Sequence, residues 1–264
     1  MGKFLNLGCG NRHHPDFVNM DIVSNHPSVI AHNILKGIPF NDNSLSLVYH
    51  SHVLEHFDKI KGEWFIRECF RVIEPNGFIR IAVPDLEKIA RKYLLLLDQL
   101  TADPSLPGYD YDWILLELYD QTMRNKRGGE MIEYFSQPSI PNEEFIYSQV
   151  GNEARNVRNQ VINHQPGTTL KSKLRSTFNS VLAKLPGYQY YKIGKFRSEG
   201  EVHYRMYDKY SLSMLLKKVG FINVKVTTAF DSNISNWSSY NLDSENGQVL
   251  KPDSMFIEGQ KPGK

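Results

Sequence analysis

The stretch FLNLGCGNRHHP, residues 4–15, decides how the rest of the chain is read. Phe4-Leu5-Asn6-Leu7 is a short apolar run, and Gly8-Cys9-Gly10 ends it. A strand that runs into a G-x-G turn lets the backbone approach a ligand closely, because glycine has no Cβ and takes positive φ. A dinucleotide fingerprint asks for a third glycine, a following helix and an acid about twenty residues on. Here the third glycine is missing, and Asn11-Arg12-His13-His14-Pro15 is a poor helix opening. The acid, Asp21, comes only eleven residues after Gly10. What survives is a glycine turn closing the first strand and a carboxylate closing the second. A carboxylate there can accept from both hydroxyls of a ribose.

Working outward, Phe17–Ile22 reads as the second strand, Val29–Ile34 as the third, Leu45–Tyr49 as the fourth and Gly77–Val83 as the fifth, stopped by Pro84. Between the fourth and fifth lies a helix with Trp64, Phe65, Cys69, Phe70 and Val72 as its expected buried positions, ended by the turn signal Glu74-Pro75-Asn76-Gly77. Apolar strands separated by helices or crossing loops argue for a parallel sheet in an α/β domain. After residue 200 the pattern returns. Asp208 suits the N-cap of a helix carrying Leu212, Leu215, Leu216 and Val219, with Gly220 as its stop. Val224–Phe230 and Ser254–Glu258 read as the last strands.

The middle, 86–200, is different. Leu86, Ile89, Ala90, Tyr93, Leu94 and Leu97 fall at helical spacing, with further helical patches over 111–123. Residues 101–150 carry nine acids and three bases, whereas 151–200 carry nine bases and two acids, so the segment is electrically polar along its length. Thr169–Leu185 places Leu170, Leu174, Phe178, Val181, Leu182 and Leu185 on one face with lysines and an arginine mostly elsewhere. Such a helix can lie on an anionic membrane surface; the plainer reading is a lid helix with a solvated basic face.

Bulk composition excludes several classes. With 41% hydrophobic and 23% charged residues among 264, the chain is an ordinary soluble one, and a formal net charge of +2 gives no nucleic-acid signal. Two cysteines, Cys9 and Cys69, make neither a disulfide framework nor a cysteine metal site, and fit a reducing compartment. The most apolar run, Leu94–Leu97, is far too short to span a bilayer. The expectation is a cytoplasmic protein with no secretory leader and no transmembrane segment.

The Leu-Gly-Cys-Gly turn after strand one, Asp21 ending strand two, Ile38–Ser44 before strand four, His52-Val53-Leu54-Glu55-His56 after it and Arg71–Gly77 before strand five fall in one order. In that order they resemble class I S-adenosylmethionine-dependent methyltransferases. A helix ending Val219-Gly220-Phe221 and two following strands extend the likeness, which covers about 1–85 and 203–260. Gly200–His203 and Lys251–Ser254 are similar to a bacterial subgroup that often accompanies polysaccharide and glycan biosynthesis. The fold implied is α/β, a Rossmann-like seven-stranded methyltransferase sheet, mostly parallel, with a largely helical insertion after strand five. Residues 1–85 and 201–264 would form the core, and 86–200 the insertion, a lid or acceptor-binding region.

The resemblance also implies roles. Leu7, Gly8, Cys9, Gly10 and Asn11 would pass the methionine part of S-adenosylmethionine, Asp21 its ribose and Ile22 the adenine face. Asn33, beside Ile34, stands where the family usually has an aspartate for the adenine amino group. Ser51 and His52 would border methionine and substrate. The helix between strands one and two has shrunk to Asn11–Asp16, so Arg12, His13 or loop amides would hold the cofactor carboxylate. The implied acceptor is a small molecule or glycan, most simply a sugar hydroxyl. The basic run 155–197 suits an anionic one, a nucleotide sugar or lipid-linked pyrophosphate sugar, with Arg155, Arg158, Arg197 and Arg205 as candidate contacts. Nucleic acid is not expected.

The segment HSHVLEHF, residues 50–57, contains H-x-x-E-H, a zinc-hydrolase spacing. A zinc protease needs His52 and His56 on one helical face plus a third ligand. Placed at the C-terminal edge of a strand, His52 would instead face the ligand crevice, Leu54 would pack inward, and Glu55 and His56 would brace the next helix. Transfer of a methyl group to oxygen needs alignment and a proton acceptor. His52, His203 and Asp85 are the candidate bases, in that order, and Asp85 also suits a helix cap before Leu86. The expected metal content is none. A non-catalytic cofactor-binding scaffold and a zinc hydrolase stand as the alternatives.

Overall fold

The computed structural model describes residues 3–163 and 185–263. The amphipathic segment 169–185 lies outside the described residues except for its last position.

Five strands come first: β1 (Lys3–Leu7), β2 (Phe17–Asp21), β3 (Val29–Ala31), β4 (Leu45–Ser51) and β5 (Ile73–Pro84). Helix α1 (Lys59–Val72) connects β4 to β5. Six described helices follow: α2 (Leu86–Ala102), α3 (Tyr109–Met123), α4 (Gly129–Phe135), α5 (Glu143–Val150), α6 (Asn152–Asn163) and α7 (Tyr188–Arg197). The chain then returns through α8 (Lys209–Val219), β6 (Ile222–Thr227), the small hairpin β7 (Ser244–Glu245) and β8 (Gln248–Val249), and β9 (Ser254–Gln260). The main sheet has seven strands in the order β3-β2-β1-β4-β5-β9-β6. Strands β1 to β5 pair in parallel, and β9 runs antiparallel to β5 and β6. A largely helical insertion therefore follows strand five.

Burial explains the strand choices. Leu5, Leu7, Leu45, Val48, Ile79, Ile81 and Ile257 are fully buried, as a sheet covered on both faces requires. Helix α1 is started by Asp58, whose carboxylate accepts from Ile60 and Lys61 N–H at 3.0 and 2.9 Å. Its buried face is Phe65, Ile66, Cys69 and Val72; Trp64, expected inside, is on the surface, one position off that stripe. Helix α8 is capped as its sequence predicts, by a reciprocal Asp208–Ser211 capping box and by Gly220 at φ 117°.

Several strand ends shift by one to three residues, β6 for instance running Ile222–Thr227 instead of 224–230, and two differences have a visible physical cause. The third strand stops at Ala31, because Asn33 leaves the sheet and caps a short turn, accepting from Leu35 N–H at 3.0 Å. The 74–77 turn signal is an outward loop within β5: Ile73 pairs with Leu45, and pairing resumes at Phe78 opposite Leu47.

The chain winds β1-β2-β3 to one side and β4-β5 to the other. The C-terminal ends of β1 and β4 thus form the switch point of the sheet, where a ligand crevice is expected.

Candidate active site

The glycine turn stands at that switch point. Gly8 has φ 63°, and a Cβ there would overlap Val53 Cγ2, so the first glycine is required by packing. Gly10 has φ 52°, and a Cβ there would meet nothing within 4 Å. The second glycine therefore faces open space, a cradle a ligand can fill. Asp21 ties the turn to β2: its carboxylate accepts from Gly10 N–H at 2.8 Å and from Val23 N–H at 3.4 Å. The missing helix between β1 and β2 is replaced by two buried asparagines. Asn6 Nδ2 donates to Arg12 O at 2.8 Å and to Asn19 Oδ1 at 3.1 Å, while Asn19 binds the backbone of His14. The alternation of β1 and β2 hid this brace, because both asparagines read as ordinary strand positions.

A cavity of about 460 Å³ opens here, walled by Gly8, Cys9, Gly10, Asn11, Ser51 and His52. Leu7 lies fully buried beneath it. A second cavity of about 500 Å³ lies toward the insertion, walled by His56, Glu117, Arg124, Glu201, His203 and Asp253 among others. His52 borders both. The other expected cofactor contacts stand apart from these walls. Ile22 is 68% exposed beyond the end of β2, and Ile34 is half-buried in the turn that Asn33 caps. The Asn33 oxygen already accepts from Leu35 N–H.

His52 sits at φ 54°, a left-handed conformation uncommon outside glycine and asparagine, and its N–H bonds Ala82 O at 2.9 Å. That kink turns the chain off the strand and sets the imidazole between the two cavities. Its Nε2 is 2.7 Å from Ser254 Oγ. Its Nδ1 lies 3.3 Å from Glu55 Oε1, a close contact without hydrogen-bond alignment, since neither Glu55 oxygen has a bonded partner among the described residues. Burial, and then the Lys251 ammonium, hold the His52 pKa well below the ordinary histidine value, so the ring is neutral. His50, at the head of the same stretch, is a core residue against Phe65, its pKa pushed down to about 3 by burial. Leu54 packs inward.

Glu55 and His56 do not brace α1, whose cap is Asp58. The short turn Leu54–His56 swings the Glu55 side chain inside, where burial pushes its carboxyl up to about 8. His56 and His203 meet edge to face at 4.7 Å. Because the only helical turn here is the single 3-10 turn Leu54–His56 and His52 lies outside it, the helical-face argument for a His52–His56 zinc pair fails. Glu55, His56 and His203 instead bring their ligand atoms within 4.8 Å of one another.

Asp85 is a helix cap. Its carboxylate accepts from Lys88 N–H at 3.2 Å, and it borders neither cavity. The four arginines proposed for an anionic acceptor are also placed elsewhere. Arg158 is buried on Phe135 O and Pro138 O, and Arg197 is bound to Arg124 O and Thr122 O. Arg155 lies over Tyr147 and Arg205 over Tyr207. None walls either cavity. Lys251, which does, is paired with Glu153 at 2.9 Å.

Residues 5–81 match the family model described as a methyltransferase domain. The matched span runs from β1 into β5 and takes in the glycine turn, Asp21 and His52. The fold is the Rossmann-like methyltransferase fold. No curated protein matches the chain. Solved structures similar to it include a SAM-dependent methyltransferase from Archaeoglobus fulgidus, at 14% identity and TM-score 0.40, over 98% of this chain and 86% of that one. A second is a SAM-dependent methyltransferase from Thermotoga maritima described as a possible histamine N-methyltransferase, at 12% identity and TM-score 0.41, over 99% and 83%. A third is phosphoethanolamine N-methyltransferase 2 of Haemonchus contortus in complex with S-adenosyl-L-methionine, at 11% identity and TM-score 0.38, over 99% and 49%. Likenesses this low carry nothing about the acceptor.

Proposed function

We propose that the chain is an S-adenosylmethionine-dependent methyltransferase acting on a hydroxyl of a small acceptor, with sugars the first class to test. The observation that carries this reading is the pair of cavities meeting at His52, one of them walled by a glycine turn that Asp21 anchors. The residues fit the cofactor: the open face of Gly10 offers a cradle, and the free lone pairs of Asp21 suit ribose hydroxyls. When bound, S-adenosylmethionine supplies an electrophilic methyl group on a sulfonium, whose departure leaves a neutral thioether.

The chain's own task is alignment and proton removal. Ser51 and His52, at the end of β4, hold the acceptor oxygen in line across the junction. The neutral imidazole of His52 takes the proton at Nε2, relayed through the Ser254 hydroxyl 2.7 Å away, which passes on its own proton as it receives that of the acceptor while the new carbon–oxygen bond forms. Its depressed pKa makes it a weak base, so proton transfer accompanies methyl transfer rather than preceding it. The second cavity favours a hydroxyl-rich acceptor over an anionic one. Glu117, Glu201 and Asp253 line it with carboxyl oxygens, and its three cations among the described residues are each paired with a carboxylate, Arg124 with Asp120 and Glu201, Arg127 with Glu201 and Lys251 with Glu153. Residues 89–160 of the insertion build most of this acceptor wall. A cytoplasmic setting and a role in glycan biosynthesis belong to the same proposal.

Calorimetric titration with S-adenosylhomocysteine tests it. Wild type should bind at micromolar affinity, and Asp21→Ala should bind at least tenfold more weakly while keeping a cooperative thermal melt. Absence of binding by well-folded wild type would overturn the reading. Binding without turnover across a broad acceptor panel would favour a scaffold.

A further inference from the structure

His56 and His203 at the wall of the second cavity, with the buried Glu55 beside them, make an arrangement that methyl transfer does not require. Glu55 is fully buried, and both of its carboxylate oxygens lack a partner among the described residues. A buried carboxylate is costly unless a proton, a cation or several donors meet it. His203 is 6% exposed, and its Nδ1 is buried and equally without a partner. His56 differs in an informative way. Its Nδ1 lies 3.4 Å from the Val202 carbonyl, which can only accept, so Nδ1 carries the proton and Nε2 keeps the lone pair. Fixing the tautomer of a histidine through its other nitrogen is how proteins prepare a metal ligand.

The neighbouring cations are committed elsewhere. Arg124 binds Asp120 and Glu201, and Lys251 binds Glu153. Two imidazole nitrogens and a carboxylate thus converge within 4.8 Å, from two segments far apart in sequence, the Leu54–His56 turn and the loop that carries His203.

We propose that Glu55, His56 and His203 bind one divalent transition-metal cation of the zinc class at the wall of the second cavity. A nitrogen, nitrogen, oxygen set suits zinc far better than magnesium or calcium. Three protein ligands leave a fourth position, and both histidines border the cavity, so that position opens toward a small molecule. On the methyltransferase reading, it would polarise the acceptor hydroxyl, and His203 would hold the cation rather than take a proton. The site itself does not rest on that reading.

The test uses the full chain, stripped with a chelator and titrated with Zn²⁺ alone. Wild type should bind one Zn²⁺ per chain at sub-micromolar affinity, measured by competition with a zinc dye and by elemental analysis after desalting. Co²⁺ in its place should give the intense visible absorption of a four-coordinate site. Glu55→Gln and His203→Ala should each weaken Zn²⁺ by at least tenfold. The paired variant His13→Ala/His26→Ala removes the surface histidines stacked 4.3 Å apart, and should leave Zn²⁺ affinity unchanged. Loss of binding in that variant, with Glu55→Gln unaffected, would overturn the proposal. So would a wild type that takes up less than 0.2 equivalents. Without metal, Glu55→Gln should melt no lower than wild type, because it removes an unpaired buried carboxylate. A much lower melt would show that a protonated Glu55 holds His52 as a structural hydrogen bond, and would also overturn it. S-adenosylhomocysteine binding, measured on the same stripped samples, reports separately on the methyltransferase reading.

Discussion

At the scale of single residues, the two glycines of the first turn look interchangeable in sequence and are not so in space. Both have positive φ, which costs an alanine roughly 1 kcal/mol. Gly10 adds nothing to that, whereas a Cβ on Gly8 runs into Val53, and overpacking adds about 1–3 kcal/mol. Gly8→Ala should therefore lower urea stability by about 2–4 kcal/mol, and Gly10→Ala by about 1 kcal/mol. The order reverses for the ligand. Gly10→Ala should remain folded but lose S-adenosylhomocysteine affinity, since its new methyl group occupies the cradle. Equal stability losses in the two variants would contradict this account. Cys9, between them, walls the same cavity, and burial pushes its thiol up to about 11 from about 9. Its thiolate is then about a hundredfold scarcer than that of an ordinary thiol, and iodoacetamide at pH 8 should label Cys9 correspondingly slowly. The motif was legible in the sequence because the G-x-G signal is local. Which glycine faces open space was not, because Val53 comes from a different loop.

At the scale of elements, β5 carries a charge that sequence reading missed. Arg80 is fully buried, with Nε donating to Asp243 at 2.7 Å and Nη1 to Glu258 at 2.5 Å. Its guanidinium lies 4.6 Å from the Trp237 ring centroid, and Asp243 also accepts from Tyr49 and Trp237. Asp243 walls the first cavity, so this cluster fixes its floor. Arg80→Met strands two buried carboxylates and should destabilise by about 3–5 kcal/mol. Adding Asp243→Asn should recover part of that loss, a coupling that chemical denaturation of the single and double variants measures. Additive losses would mean that the two residues act independently. The reason sequence missed it is distance along the chain. Arg80 sits in an apolar run and its partners lie 163 and 178 residues away. By contrast, the Asp208 cap and the Gly220 stop were legible, because helix signals are contained within a few residues. The same locality explains Asn33. Its position after a β-pattern read as strand, and only its bond to Leu35 shows that it starts a turn.

At the scale of the whole molecule, the question is what keeps the helical insertion against the sheet. The docking segment is Leu250–Asp253, between the β7–β8 hairpin and β9. From it Lys251 pairs with Glu153 on α6, and Pro252 O accepts from Lys88 on α2. Asp253 O accepts from Asp85 N–H at 2.9 Å at the root of the insertion. The backbones also come close at Gly151, between α5 and α6. It has φ 81°, and a Cβ there would overlap Leu250 O. Two helices end or begin at this glycine, and both cavities draw walls from the helix that follows it. Composition marked 86–200 as different from the rest but could not show where it touches the core, since one glycine among eighteen carries no such sign. Gly151→Ala should push α6 away from Leu250 and loosen the insertion while leaving the sheet intact. Hydrogen exchange should then speed up by at least tenfold over 143–163 and stay unchanged over β1, β4 and β5, because locally opened units exchange independently of the core. Cofactor-product affinity should fall less than acceptor affinity, since the glycine turn and Asp21 belong to the sheet and Glu117 and Arg124 to the insertion. Faster exchange spread evenly over sheet and insertion would show instead that the two unfold as one unit, and that the cavity between them is as rigid as the core.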